Sequence, residues 1–241
     1  MKRALRRWVL ARGYVIEPTR RLTALALANR LREIFASYAI DTVIDVGANE
    51  GQFAEFLRAD VGYGGKIESF EPVPAQARKL RVKAEADGNW SVHPRALGAA
   101  AGKSPFNVMR NSLFSTFLEP VPVNDGALNR MNTVSERIEV AVSTLDAEFA
   151  GRDLRHAYLK LDTQGYDLEV LKGATASIAQ IPAVQTELSF QPIYGGMPGY
   201  AESLAAFERN GFGVADFFLV NQDERHAALE FDCLMVRRKA E

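Results

Sequence analysis

The stretch DTVIDVGANEG, residues 41–51, restricts the possible folds of this chain more than any other part of its sequence. The apolar run Thr42–Val46 predicts a strand, which leads into a turn that contains Gly47 and Gly51. A helix is predicted after the turn, over Gln52–Ala59. A strand, a glycine turn and a helix in this order open many parallel sheets, and the turn brings backbone close to a ligand.

The alternation of strand and helix patterns continues along the chain, which predicts an α/β fold with a mostly parallel sheet covered by helices on both faces. Two late strands, Phe212–Val220 and Glu230–Arg237, predict a closing antiparallel hairpin. The other strands are predicted over Lys66–Phe70, Trp90–Leu97, Pro105–Met109, Arg137–Val142, Ala157–Leu161 and Ala183–Leu188, and the other helices over Pro74–Ala86, Leu168–Ile178 and Ala201–Asn210.

Charge and cysteine content narrow the class of protein. The 241 residues carry a net charge of −1, but residues 1–32 contain nine Lys or Arg, so the remainder is acidic. This distribution argues against nucleic acid as a partner. Cys233 is the only cysteine, which excludes an internal disulfide and a thiolate metal site and fits a reducing compartment. No transmembrane segment or signal peptide is recognised, so we expect a cytoplasmic protein.

The first 40 residues form a basic region of two amphipathic helices, followed by one large domain over residues 41–241. Leu5, Trp8 and Val9 recur at helical spacing in the first helix, and a second apolar series runs from Leu22 to Phe35. These helices are either a cap on the main domain or on a second subunit, which makes a homodimer possible, or a weak contact with an anionic membrane surface or an anionic acceptor. The sequence leaves both alternatives open.

Two long segments have no regular pattern. Residues 110–136 and 189–200 are rich in Asn, Ser, Pro and Gly but keep several large apolar side chains. Long irregular segments in compact domains are often lids or binding loops. Within the second segment, Tyr194 and Tyr200 are either packing anchors or rings that stack on a sugar.

The glycine turn lacks the features of a phosphate site. A P-loop needs Lys followed by Ser or Thr where this chain has Gln52 and Phe53. A dinucleotide turn needs a glycine where this chain has Asn49, and the next residue, Glu50, competes with an anion for the start of the helix. A phosphate-containing ligand is therefore disfavoured.

A sulfonium nucleoside fits this turn better. Its positive sulfur and amino group suit the carboxylate of Asp45 and a turn lined by carbonyl groups. Glu71, at the end of the second strand, can accept hydrogen bonds from both hydroxyls of a ribose. The alternative is a purely structural turn with a surface glutamate.

Six motifs in order resemble the FkbM family of S-adenosylmethionine-dependent methyltransferases over about residues 41–237: DVGANEG, FEP, ALG, LKLDTQGYDLEVLKGA, QTELSFQPIY and FDCLMVR. The resemblance implies a class I, Rossmann-like methyltransferase fold with a seven-stranded sheet. It also implies methyl transfer to a hydroxyl of a sugar, glycoconjugate or secondary metabolite. One departure is clear, because the family usually has Glu-Gly where this chain has Gln164-Gly165.

The resemblance also assigns the cofactor-binding residues. It implies that Gly47, Asn49 and Gly51 lie at the methionine end of S-adenosylmethionine, that Glu71 binds the ribose, and that Ala96 and Leu97 border the adenine.

Two acids at strand ends are the candidate catalytic residues. Asp162 follows the strand Ala157–Leu161 and Glu187 lies at the end of Ala183–Leu188, where ligands bind in open α/β sheets. A sugar hydroxyl needs a base or a metal as its proton leaves. Asp162 could instead cap a helix, and Glu187 could be a structural carboxylate.

Three further alternatives stay open. The two acids could hold Mg²⁺, with Asp167 or Gln164 as an additional ligand, although no metal is predicted. The protein could be a nicotinamide-dependent oxidoreductase or a scaffold that binds a cofactor without catalysis. A histidine base is not predicted for any of the three histidines, which are His93, His156 and His226.

Overall fold

The computed structural model describes Pro18 and residues 21–123, 126–223 and 225–238. The helices in these ranges are α1 (Leu22–Ser37), α2 (Gln52–Phe56), α3 (Pro74–Asp87), α4 (Gly126–Met131), α5 (Leu145–Glu148), α6 (Asp167–Lys172) and α7 (Tyr200–Arg209). The strands are β1 (Thr42–Val46), β2 (Lys66–Phe70), β3 (Trp90–His93), β4 (Ala96–Leu97), β5 (Gly102–Met109), β6 (Val134–Ser143), β7 (Ala157–Leu161), β8 (Ala183–Ser189), β9 (Phe212–Gln222) and β10 (Ala228–Arg237).

The main sheet has seven strands in the order β3-β2-β1-β7-β8-β10-β9. The first five strands in this order pair in parallel, and β10 pairs antiparallel with both β8 and β9. Apolar clusters cover both faces of the sheet. The predicted seven-stranded, mostly parallel sheet with a closing antiparallel hairpin is therefore confirmed.

The prediction of one strand over Trp90–Leu97 is wrong. Pro94, which has no backbone N–H and a fixed φ, separates β3 from β4. Only β3 joins the main sheet, while β4 pairs in parallel with β6 in a second sheet of three strands, in the order β4-β6-β5. Strands β5 and β6 pair antiparallel, and both belong to this smaller sheet.

Two predicted helices are shorter than their sequence patterns. The helix at Gln52 changes after Phe56 into a π-helical turn, Leu57–Val61. The helix predicted over Leu168–Ile178 ends at Lys172, because the carboxylate of Asp146 accepts the backbone N–H groups of Ala176 and Ser177 and so stabilises a non-helical turn.

Helix α1 packs against the main sheet. Its side chains Ala28, Leu31, Ile34 and Phe35 are buried, and the ring of Phe35 packs edge-on to Tyr158 of β7 at 5.0 Å. This part of the basic region is thus a cap on the main domain, whereas the helix predicted around Leu5, Trp8 and Val9 lies outside the described residues. Among the described helices, none has the length and hydrophobicity needed to cross a membrane.

Candidate functional site

The turn after β1 needs glycine at two positions because of close contacts. Gly47 has φ +84°, and a Cβ there would lie 2.0 Å from the backbone oxygen of Asp162 at the end of β7. Gly51 has φ +90°, and its Cβ would lie 2.6 Å from the Trp90 ring. Both contacts are closer than side chains allow, so glycine keeps β1, β7 and β3 together around this turn.

Asn49 connects the turn to two other parts of the site. Its φ of +47° is in the left-handed region, which asparagine tolerates better than most residues. Its backbone N–H donates to Oε2 of Glu71 at 2.9 Å, and its side chain lies 3.2 Å from Oγ of Ser112. The end of β2 and the irregular segment after β5 therefore both bind this turn.

Glu71 is buried, and two backbone N–H groups hold its carboxylate in position. Oε1 accepts the N–H of Val73 at 2.8 Å, and Oε2 accepts that of Asn49. Burial raises the pKa of Glu71 to about 7, although these two hydrogen bonds act in the opposite direction. Each carboxylate oxygen keeps a second lone pair for a ligand.

A first cavity of about 580 Å³, here called the turn cavity, lies beside these residues. It brings together five of the predicted cofactor-binding residues, which are Gly47, Asn49, Glu71, Ala96 and Leu97. Gly51 and Asp45 do not line it. The remaining lining residues are Val46, Phe70, Pro72, Phe106, Ser112, Leu113, Ser115, Phe117, Asp162, Thr163 and Gln164.

Asp45 lies beneath the turn and is fully buried. Its carboxylate is 3.3 Å from Nζ of Lys160 and accepts the hydroxyl of Ser69 at 3.4 Å. Burial raises the pKa of Asp45, and Lys160 partly offsets this effect. The structure therefore gives Asp45 an ion pair with Lys160, and its direct contact with a cofactor stays a prediction.

Lys160 was not recognised from the sequence as a site residue. Its Nζ lies 3.1 Å from Asp162 and 5.1 Å from the centre of the Phe53 ring. Burial lowers its pKa, but the nearby acids, led by Asp162 and Asp45, outweigh burial, so the pKa is raised and the ammonium stays charged. A lysine inside the otherwise apolar, fully buried strand AYLKL is the signal that could have identified it.

A second cavity of about 800 Å³, here called the acid cavity, adjoins the turn cavity. Both candidate catalytic acids, Asp162 and Glu187, line it together with Asp232, which the sequence analysis missed. Gly47, Asn49, Leu113 and Asp162 line both cavities. The other residues that line the acid cavity are Ala24, Leu27, Ala48, Gln52, Phe53, Phe56, Lys160, Gln185 and Val220.

Gln164 joins the two candidate acids. Its Nε2 donates to Oδ1 of Asp162 at 3.1 Å and to Oε2 of Glu187 at 3.0 Å. Its Oε1 accepts from the hydroxyl of Tyr194 at 3.1 Å, and its backbone is in the left-handed region with φ +54°. Because this chain has Gln164 where the family usually has Glu, a neutral amide, and not a third carboxylate, lies between the two acids.

Neighbouring acids and burial favour the neutral form of two carboxyl groups here. The pKa of Glu187 is raised well above its usual range by burial and then by the charges of Asp162, Glu230 and Asp232. Burial likewise raises the pKa of Asp232 to about 6, although a hydrogen bond with Gln185 lowers it.

The residues considered as extra metal ligands have other partners. Asp167 accepts the backbone N–H of Thr163 at 2.9 Å and the hydroxyl of Thr186 at 2.6 Å, so it stabilises the turn after β7. Gln164 presents its NH₂ group to both acids. Within the described ranges, no group of three or more His, Cys, Asp or Glu side chains is arranged to hold a metal ion.

The histidines and tyrosines lie away from the candidate acids, except for one hydroxyl. His93 is half-buried, where it contacts Glu68 at 2.8 Å and stacks on Phe70. The ring of Tyr194 is buried, so only its hydroxyl reaches the site, and Tyr200 stacks on Phe190 at 4.2 Å. His156 contacts the backbone oxygen of Tyr38, and His226 lies between β9 and β10.

Backbone hydrogen bonds join the two irregular segments. The N–H of Gly195 donates to the oxygen of Glu119 at 2.8 Å, and that of Val121 donates to the oxygen of Ile193 at 3.0 Å. Leu113 of the first segment lines both cavities. No described residue of the second segment lines either cavity, so the lid or binding-loop role stays a prediction for both segments.

Comparison with known proteins identifies the family. Residues 45–214 match the sequence model of the methyltransferase FkbM domain. The chain belongs to the FkbM methyltransferase family. No curated protein matches the chain.

Two solved structures of methyltransferases are similar to this chain. The methyltransferase FkbM from Methylobacillus flagellatus KT superposes with a TM-score of 0.51 at 15% identity, over 82% of this chain and 43% of that protein. The chain thus spans less than half the length of that FkbM protein. Magnesium protoporphyrin IX methyltransferase from Synechocystis PCC 6803, solved with bound SAM, has a TM-score of 0.49 at 10% identity over 90% and 81% of the two chains. The fold of this FkbM-family protein is that of class I methyltransferases.

Proposed function

We propose that this FkbM-family protein is an S-adenosylmethionine-dependent O-methyltransferase whose acceptor is a hydroxyl of a sugar, glycoconjugate or hydroxylated secondary metabolite. The observation that carries the proposal is the junction of two cavities at Gly47, Asn49 and Asp162. A methyl donor in the turn cavity and an acceptor in the acid cavity would meet at this junction.

The lining of the turn cavity fits the proposed cofactor. It contains two acids, Glu71 and Asp162, and no Lys or Arg among the described residues that form its wall. A positively charged sulfur nucleoside is therefore favoured over a dinucleotide, whose pyrophosphate would find no cation here. Glu71 would accept the ribose hydroxyls, Ala96 and Leu97 would border the adenine, and Gly47 would lie at the methionine end.

The chemistry that this cofactor supplies is an electrophilic methyl group, and the side chains of the protein would prepare the hydroxyl that attacks it. Asp162 is the proposed base, because it lies on the wall of both cavities and Lys160 and Gln164 fix its two oxygens. Glu187, which accepts a hydrogen bond from Gln164 beside Asp162, would position the acceptor through a hydrogen bond of its own. Alignment of the hydroxyl with the methyl group supplies much of the acceleration in such a displacement.

An Asp162→Ala variant tests this assignment. We expect turnover to fall by about 10²- to 10⁴-fold, as for loss of a general base, while affinity for S-adenosylhomocysteine changes little. Methyl release from labelled S-adenosylmethionine with a library of hydroxylated acceptors measures the first quantity, and calorimetry measures the second. Undiminished turnover in this variant would remove Asp162 from the mechanism.

The same assays separate the alternative functions. Calorimetry with NAD and S-adenosylmethionine distinguishes an oxidoreductase from a methyltransferase, since only the matching cofactor should release heat. A scaffold without catalysis would bind S-adenosylmethionine but release no methyl group to any acceptor. The cytoplasmic location, the homodimer and the lack of a nucleic-acid partner stay predictions.

A further inference from the structure

Two residues of the acid-cavity wall lie outside the segment that resembles the family. Ala24 and Leu27 of α1 precede both the matched residues 45–214 and the wider resemblance over about residues 41–237. Within the described ranges, the turn cavity is lined entirely by residues inside that span. Helix α1 therefore contributes to the wall of the acid cavity, whereas the described wall of the turn cavity comes from the family domain alone.

These walls divide the acid cavity into two chemical zones. Asp162, Glu187 and Asp232 form an acidic zone, and the one ammonium among the described residues that line the cavity, that of Lys160, already contacts Asp45 and Asp162. The second zone is apolar and is formed by Ala24, Leu27, Phe53, Phe56 and Val220.

Both zones are partly open to solvent. Val220 is 43% exposed and Ala24 and Leu27 are half-buried, so the apolar zone reaches the rim of the cavity. Asp162, Glu187 and Asp232 are also half-buried, while Lys160 beside them is buried. A molecule that entered the cavity would place its polar end among the acids and its other end against α1 and β9.

We infer that the acceptor is an uncharged amphipathic glycoside, whose hydroxylated sugar binds at Asp162 and Glu187 while its apolar aglycone packs on Ala24, Leu27 and Val220. This inference rests on the proposed function and specifies its substrate class. Apolar contact with α1 and β9 stabilises the aglycone, because it removes hydrophobic surface from water. An anionic acceptor, such as a sugar phosphate, is disfavoured because three acids and only one ammonium group are found among the described residues that line the cavity.

Binding measurements without turnover test the substrate class. The probes are octyl and methyl glycosides of glucose, galactose, mannose and rhamnose, below micelle-forming concentrations, and glucose 6-phosphate, each titrated in the presence of S-adenosylhomocysteine. At least one octyl glycoside should bind about tenfold or more tightly than its methyl partner, a ratio that burial of only about two methylene groups would supply. Glucose 6-phosphate should not bind.

A pair of variants on one helix tests the place of the aglycone. Ala24 lines the acid cavity, whereas Ala26 is exposed on the same helix. Ala24→Phe should weaken octyl glycoside binding by about tenfold, since the ring would occupy space near the rim, and Ala26→Phe should not. Both variants should bind S-adenosylhomocysteine like the wild type.

The inference would be overturned if octyl and methyl glycosides bound with equal affinity, or if neither bound. It would also be overturned if glucose 6-phosphate bound as tightly as the best glycoside. Equal effects of Ala24→Phe and Ala26→Phe on octyl glycoside binding would contradict the proposed place of the aglycone. Failure of the proposed function has a different signature, because the protein would then not bind S-adenosylhomocysteine or would release no methyl group to any acceptor.

Discussion

The side-chain amide of Gln164 donates a hydrogen bond to Glu187 across 3.0 Å, and the same nitrogen lies 3.1 Å from Oδ1 of Asp162. One neutral group thus holds two acids from neighbouring strand ends in a common orientation. The hydroxyl of Tyr194, which also contacts the backbone oxygen of Phe114, faces the other end of the amide. Through Tyr194, the irregular segment after β5 is connected to the candidate catalytic acids.

Replacement of Gln164 by Leu should lower turnover by about 10- to 100-fold, the range expected for loss of hydrogen bonds to charged groups. Without the amide, the ionised form of the acids is less stable, so the acid limb of the pH–rate profile should move to higher pH. Tyr194→Phe should shift the acid limb in the same direction but by less. In this variant the Gln164 amide is still present, and it loses only the hydrogen bond from the Tyr194 hydroxyl that orients it. A fall in rate with an unchanged pH profile in both variants would indicate that Gln164 has only a structural role.

Gly47 and Gly62 form a natural pair for separating backbone strain from steric contact. Both have a positive φ, +84° and +76°, but a Cβ at Gly62 would meet no atom within 4 Å, whereas one at Gly47 would reach the oxygen of Asp162. Gly62→Ala should therefore cost about 1 kcal/mol of unfolding free energy, from backbone strain alone. Gly47→Ala should cost several-fold more, and chemical denaturation of the two variants compares these losses. Equal losses would show that the contact between β1 and β7 relaxes without cost.

Local sequence patterns were sufficient to predict the bounds of strands that are buried on both faces of the sheet. The strands Thr42–Val46, Lys66–Phe70 and Ala157–Leu161 lie in the centre of the sheet and are present with the predicted bounds. The second sheet was not predicted, since the pairing of β5 with β6 joins segments about 30 residues apart and depends on tertiary packing. The break at Pro94 was visible in the sequence, but the apolar residues on either side of it concealed its effect.

The candidate site likewise contains residues that local sequence patterns predicted and residues that they did not. Asp162 and Glu187 were predicted from their positions at strand ends, and both line the acid cavity. Asp232 was missed because it lies on an antiparallel strand, where the rule about strand ends does not apply, and it reaches the site only through its register opposite Glu187. Lys160 lies in β7 and its partner Asp45 lies in β1. Their ion pair depends on the pairing of these two strands and therefore cannot be predicted from the sequence of one strand alone.

If Glu71 binds the ribose as proposed, affinity for the cofactor should depend on pH. Its pKa of about 7 in the folded protein lies above its ordinary value of 4.5, so the folded state binds the proton more tightly than the unfolded state does. Glu71 therefore contributes stability to the unliganded protein below pH 4.5, and this contribution is lost as the pH rises through about 7. Ribose hydroxyls would favour the ionised form by donating to it, so binding should oppose this protonation.

Affinity for S-adenosylhomocysteine should consequently fall as the pH is lowered from about 8 to about 6, with a slope approaching one proton per ligand below the pKa of Glu71. Glu71→Gln should bind about tenfold or more weakly and lose this dependence, because the amide does not titrate and offers only one acceptor oxygen. Calorimetry across the pH range measures both effects. Asp232→Asn is the matched control, since the pKa of Asp232 is about 6 but its side chain lines only the acid cavity. If the pH dependence persisted in Glu71→Gln and disappeared in Asp232→Asn, the ribose would have to be placed in the acid cavity.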